Sequence, residues 1–163
     1  MIRDHELHAT SPAHLHALAH PTRVRLWREL GDDGATISQL AHRLPTNKGN
    51  VAHHLGVLVD AGLARKGRTR TVRGGTEQYY ERTARRLHFG PGDGGAATQA
   101  LLDSVAAEIG RHGQPLLNHR VLRLTRQQAV ALARHLDTVV DRLEPAPGPE
   151  TSYGVLVSVY PRG

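Results

Sequence analysis

The run RKGRTRTVR (65–73) places Arg65, Lys66, Arg68, Arg70 and Arg73 within nine residues and contains no acid. It lies in the first of two β-rich stretches, Leu63–Val72 and Thr76–Arg82, joined by Arg73-Gly74-Gly75, and Gly-Gly between such stretches is a hairpin signal. Alternation along a strand sends successive side chains to opposite faces, so a ribbon this cationic has no face on which to bury them. The cations must be solvated or paired with an external anion. A lone two-stranded ribbon is also marginal in water. The chain therefore has to attach it to a larger core and leave its tip outside.

That core is predicted upstream. Ser11-Pro12 reads as an N-cap with Pro at the first helical position, and Leu15, Leu18, Ala19, Val24, Leu26, Trp27 and Leu30 follow at helical spacing with a break at His20-Pro21. Turn residues Gly31 to Gly34 end this segment. Thr36 to Leu44 is a second short helix with Ile37, Leu40, Ala41 and Leu44 on its apolar face, stopped by Pro45. Thr46 is the expected cap of a third helix running to about Ala61, with Val51, Leu55, Leu58 and Val59 as its buried stripe and Gly62 at its C-terminal end.

Charge is distributed to match. Residues 1–90 hold 14 Lys and Arg against 8 Asp and Glu, whereas residues 91–163 hold 7 against 7, so the whole net +6 lies in the first half. A GC-rich coding bias would raise the Arg count without producing that asymmetry, which marks residues 1–90 as the polyanion-binding half.

Three helices followed by a basic hairpin form a winged helix-turn-helix. A duplex major groove admits one helix, so the third must expose one face while packing the other. Gly49, His53, Gly56 and Asp60 lie opposite the apolar stripe, with Asn50 on the flank. The small residues Gly49, Ala52 and Gly56 permit close approach to the groove floor. Asn47, Asn50 and His53 offer groups for base edges, while Lys48 and the free N–H groups at the helix start, aimed by Pro45-Thr46, suit a phosphate. The hairpin then lies along the backbone or in the adjacent minor groove through its five cations. Protonation of His53 and His54 near pH 6 would add charge there, which predicts tighter binding on acidification.

The segments LAHPTRVRLWREL (18–30), TISQLAHRL (36–44), NVAHHLGVLVDAGLARKGR (50–68) and TEQYYERT (76–83) resemble, in order and spacing, the ArsR-type winged-helix repressors over about residues 13–90. Ala52 stands where that family carries a serine, His53 falls on its variable helix position and His54 on its frequent histidine. The resemblance implies a dimeric, DNA-binding transcriptional regulator, usually a repressor released by a ligand, with Thr46, Asn47, Lys48, Gly49, Asn50, His53, His54 and the wing cations as DNA contacts.

GPGDGG (90–95) is the expected domain boundary. Beyond it the pattern predicts a helix at Ala97–Arg111 with Leu101, Leu102, Val105 and Ile109 inward, then a strand at Val121–Leu124 and a helix at Arg126–Leu143. That last helix would bury Val130, Leu132 or Ala133, Leu136, Val139, Val140 and Leu143. A stiff PAPGP linker (145–149) leads to a strand at Tyr153–Tyr160, too apolar to stand alone, which is expected to share a sheet with 121–124. The fold class is thus α+β and mainly helical: a winged helix-turn-helix domain (1–90) and a helix-strand-helix-strand module (91–163) for dimerisation and a possible small-molecule effector. The first helix, 97–111 and 126–143 are the candidate dimer seams, unless those stripes pack within one subunit.

Other chemistries find little support. Cysteine is absent, which removes disulfides, thiolate metal sites and a Cys nucleophile. His16 and His20 have a chelating spacing, but the helix is interrupted at Pro21 and no Asp, Glu or Cys partner stands nearby. No metal or cofactor is expected. GPGDGG satisfies G-x-G-x-x-G without the preceding strand that a dinucleotide site needs. No G-x-S-x-G, P-loop or H-E-x-x-H occurs, so no enzyme is expected. The N-terminus lacks an apolar signal-peptide core and no run of 18 apolar residues exists, which predicts a cytoplasmic protein without a membrane partner. The alternative is a ligand-binding or protein-interaction winged helix, which has no need for the wing cations.

Overall fold

A computed structural model of the chain describes residues 6–31, 33–89, 95–111, 116–144, 146 and 153–162. The expected break at 90–95 and linker at 145–149 lie outside the described residues except for Gly95 and Ala146. Two compact units divide the chain, Met1–Pro115 and Leu116–Gly163.

The first unit begins with β1 (Glu6–Ala9) and α1 (Pro12–Leu18), whose Ser11 Oγ accepts from the His14 amide at 3.1 Å. In α2 (Pro21–Glu29) the cap is His20, whose Nδ1 accepts from the Thr22 amide at 3.2 Å. After β2 (Ala35–Thr36), α3 (Ile37–Arg43) opens on a capping box. Thr36 Oγ1 accepts from the Gln39 amide at 3.2 Å and Gln39 Oε1 from the Thr36 amide at 2.9 Å.

The next helix, α4 (Lys48–Asp60), corrects one expectation. Its cap is Asn47, whose Oδ1 accepts from the Asn50 amide at 2.7 Å, while Thr46 Oγ1 accepts instead from Asn50 Nδ2 at 3.1 Å. At its other end Gly62, at φ +73°, lets its own amide reach Val59 O and that of Leu63 reach Leu58 O, both at 2.9 Å. Two end carbonyls are thereby satisfied and buried Leu63 folds back under the helix.

The hairpin is β3 (Ala64–Val72) and β4 (Gly75–Arg82), and β2 joins the free side of β4 to give the order β2-β4-β3. One pairing was invisible in the sequence pattern: β5 (Arg86–Phe89) lies parallel to β1, with Leu7 opposite Leu87 and Ala9 opposite Phe89. Leu18, Leu26, Trp27, Leu40, Leu55 and Leu58 centre the core, and Trp27 Nε1 donates to Leu63 O at 3.1 Å to tie α2 to the start of β3.

Last in this unit is α5 (Ala96–Ile109), packed against α1 and α2, so the helix expected beyond the domain boundary lies within the N-terminal unit. Its inward face also differs from expectation. Ala97, Ala100 and Ser104 are buried, whereas Leu102 is exposed. Small residues bring the helix axes close, and Arg28 of α2 then spans the joint, donating to Ser104 Oγ at 3.3 Å and pairing with Glu108.

The second unit holds α6 (Arg126–Asp141), capped by Thr125 and Gln128 in a second capping box. Neither Val121–Leu124 nor Tyr153–Tyr160 forms the expected strand. Apolar alternation records a need for burial and does not by itself supply a ladder partner. None of the stripe expected to be buried on α6 is fully buried: Leu132, Ala133, Leu136 and Val140 are half-buried, and Val130, Val139 and Leu143 are exposed.

Candidate nucleic-acid interface

Helix α4 presents two chemically distinct sides. Val51, His54, Leu55 and Leu58 are buried at helical spacing, whereas Asn47, Lys48, Gly49, Ala52, His53 and Asp60 are exposed, with Thr46, Asn50 and Gly56 half-buried. The exposed side thus carries most of the predicted contacts. Two amides are partly engaged: Asn47 Oδ1 holds the cap, and Asn50 Nδ2 donates to Thr46 Oγ1 at 3.1 Å, which leaves Asn50 Oδ1 as its outward acceptor.

His54 lies elsewhere. Its ring is buried beneath α4, 4.7 Å from the ring of His20 and 5.1 Å from that of His53, and its Nδ1 has no hydrogen-bond partner. Burial holds the His20 and His54 imidazoles below the usual histidine range, reinforced at His20 by Arg23 then His53, and at His54 by His20, then His53 and Arg23. The expectation that His54 charges at the groove near pH 6 is therefore corrected. The spacing 51, 54, 55, 58 carried the signal, since it places His54 on the apolar stripe.

Arg23 is a positioning residue missed by the pattern. It is buried, its Nε donates to Ala17 O and its Nη2 to His16 O at 2.7 Å, so its guanidinium closes the carbonyl end of α1. The HPTR sequence therefore caps α2 through His20 and seals α1 through Arg23.

The wing holds a feature that simple alternation hides. Lys66 pairs with Tyr80 in register but Thr69 pairs with Gln78, so β3 carries one extra residue at Gly67–Arg68. Gln78 Nε2 fills the bulge, donating to Gly67 O at 2.9 Å and Arg68 O at 3.3 Å. The bulge puts Arg65 and Arg70, opposite Glu81 and Glu77, on one face despite their odd spacing. The Arg68 guanidinium lies over the Tyr79 ring at 4.5 Å, and Tyr79 belongs to that same face of β4. A side chain at Gly67 would collide with the Glu81 carboxylate, so the glycine makes room for it. The glycine inside a strand was the available signal.

Of the five wing cations, Arg65 is paired internally, with its Nη2 3.0 Å from Glu81 Oε2. Among the described residues Lys66, Arg68, Arg70 and Arg73 have no ion pair, although Arg70 stands opposite Glu77 in register. All four are exposed.

No group of three or more His, Asp or Glu among the described residues is placed to hold a metal ion. His20, which stands four residues from His16, is engaged as a helix cap. No helix among them is long and apolar enough to cross a membrane.

Residues 18–66 match the model of a helix-turn-helix domain family, a span from the end of α1 through α4 into β3. The match supports a helix-turn-helix transcription regulator that binds DNA. No curated protein matches the chain.

Proposed function

We propose that this protein is a sequence-specific double-stranded DNA-binding repressor of the ArsR type, cytoplasmic and without enzymatic activity, acting as a homodimer. Helix α4 enters the major groove and reads bases with Asn50 and His53, while Lys48 and the free amides at its start take a phosphate. The β3–β4 wing follows the backbone into the adjacent minor groove, with Lys66, Arg68, Arg70 and Arg73 on phosphates. Arg65 orders the wing through Glu81, and His54 supports α4 from beneath. Occupation of a promoter by the dimer excludes polymerase, and a small-molecule effector would relieve it.

The observation that carries this reading is the set of four exposed hairpin cations without an ion pair among the described residues, on the same unit as a helix whose exposed side is small and polar. A winged helix that recognised only protein or a small ligand would have no use for that concentration of charge. The test is a salt titration of binding between the wild-type protein and duplex DNA selected from a random pool. Selection of a defined sequence, with log affinity falling linearly in log salt, is the expected result. No duplex binding at low ionic strength would overturn the reading.

A further inference from the structure

Two hydrogen bonds fix Asn50 at the start of α4. Its backbone N–H donates to Asn47 Oδ1 at 2.7 Å, and its side-chain Nδ2 donates to Thr46 Oγ1 at 3.1 Å. Thr46 is anchored in turn, because its own amide donates at 3.2 Å to the carbonyl of Ala41, a buried residue of α3. Asn50 and Thr46 are both half-buried. A free asparagine can turn its amide over and show a partner either its oxygen or its amino group. Here the amino end is engaged at the turn between α3 and α4, and the oxygen is the end left outward. The major groove distinguishes the two ends. Adenine N6 and cytosine N4 are donors there, whereas guanine O6 and N7 and thymine O4 are acceptors. An amide oxygen set against a guanine or thymine edge puts two acceptors face to face and leaves both without a donor.

We infer that Thr46 is a positioning residue for base selection: it holds the Asn50 amide with Oδ1 outward, so that Asn50 reads the major-groove amino group of an adenine or a cytosine. Because this takes α4 to lie in the major groove, it rests on the proposed function. It also separates two asparagines that look alike in the sequence. Asn47 uses its oxygen as the helix cap and keeps its amino group for a partner, so the same side chain is presented in opposite senses three residues apart.

The test titrates the wild type and its variants with the duplex that the wild type selects from a random pool. The base pair read by residue 50 is the one at which Asn50→Ala erases the preference. The amino group of that pair is then removed from the major groove, with 2-aminopurine in place of adenine or 2-pyrimidinone in place of cytosine. The wild type should lose affinity about tenfold and Asn50→Ala hardly at all, a comparison that cancels any effect of the analogue on the duplex itself. Asn50→Asp, whose carboxylate only accepts, should stay sensitive to the removal. Thr46→Val should become as insensitive as Asn50→Ala, and Thr46→Ser, which keeps the hydroxyl, should respond like the wild type. A Thr46 that only stabilised the fold would weaken every duplex alike and leave the response to the amino group intact.

The inference is overturned if Asn50→Ala erases no preference, if wild type and Asn50→Ala lose equally, or if Thr46→Val keeps the wild-type response. A wild type sensitive only to a 7-deazapurine at that pair also overturns it, since Asn50 would then be donating. In the free protein, nuclear Overhauser effects should join the Asn50 side-chain NH2 protons to Thr46, and their absence counts against the inference without any DNA. A wild type that binds no duplex removes the proposed function and this inference with it. One that binds a defined duplex and ignores the amino group keeps the proposed function and overturns this inference alone.

Discussion

Single side chains decide whether the surface reads sequence or only charge. Arg68 and Arg70 are expected to act through phosphate, so Ala at either position should weaken binding to every duplex alike. The salt slope should fall by about 1 for each phosphate that is no longer neutralised. Fluorescence anisotropy over a salt series measures this, and an unchanged slope counts against a phosphate role for that arginine. In the proposed docking Asn50 and His53 meet base edges, so their removal should cost about 1–3 kcal/mol at one base pair and relax preference there, seen by competition with single-base variants. His54 acts in the opposite sense from a groove residue. With folded pKa values held below the ordinary histidine value by burial, His20 and His54 contribute stability that is complete above about pH 6.5 and lost as pH falls through their folded values. Protonated His20 would also lose the lone pair that accepts from Thr22, and would face His53, His54 and Arg23. Urea midpoints should therefore drop from pH 7 to pH 5, and His54→Leu should flatten the profile. A wild-type midpoint that does not change would contradict this.

At the scale of elements, short helices depend on their ends. Asn47 satisfies the Asn50 amide, one of the free amides in the first turn of α4, and Asn47→Ala should cost about 0.5–2 kcal/mol in unfolding free energy, with Asn47→Gly costing only a few tenths. Chemical denaturation of both variants distinguishes a cap from a residue that only touches nucleic acid, since the latter would leave stability unchanged. The capping boxes at Thr36 and Thr125 and the glycine at 62 follow local rules, and these boundaries were readable from the residues. The face that each helix buries was less so. In α5 the count of large apolar residues pointed to Leu102, but close approach to α1 and α2 selected Ala97, Ala100 and Ser104.

For the whole molecule, the proposed two-fold dimer would fix the spacing of what it reads. Half-sites should lie about 34 Å apart, one duplex turn or a multiple of it, and moving them by half a turn should abolish simultaneous binding. Footprints on operators with inserted base pairs report this directly. Protection that persists on both half-sites at a half-turn offset would exclude the rigid dimer.

The amino-acid sequence alone determined the order of helices and hairpin in the N-terminal half, the Ser11 cap, the glycine end at Gly62 and the concentration of cations on the hairpin. These are consequences of local backbone chemistry and of charge that resists burial. Tertiary structure alone decided that β1 pairs with β5 across about eighty residues and that the Gly67 bulge gathers Arg65 and Arg70 on one face. It also decided that Tyr153–Tyr160, apolar enough for a buried strand, has no strand partner among the described residues of its own chain. Pattern records which side chains need cover. Which surface supplies it depends on elements distant along the chain, and there the local signal ends.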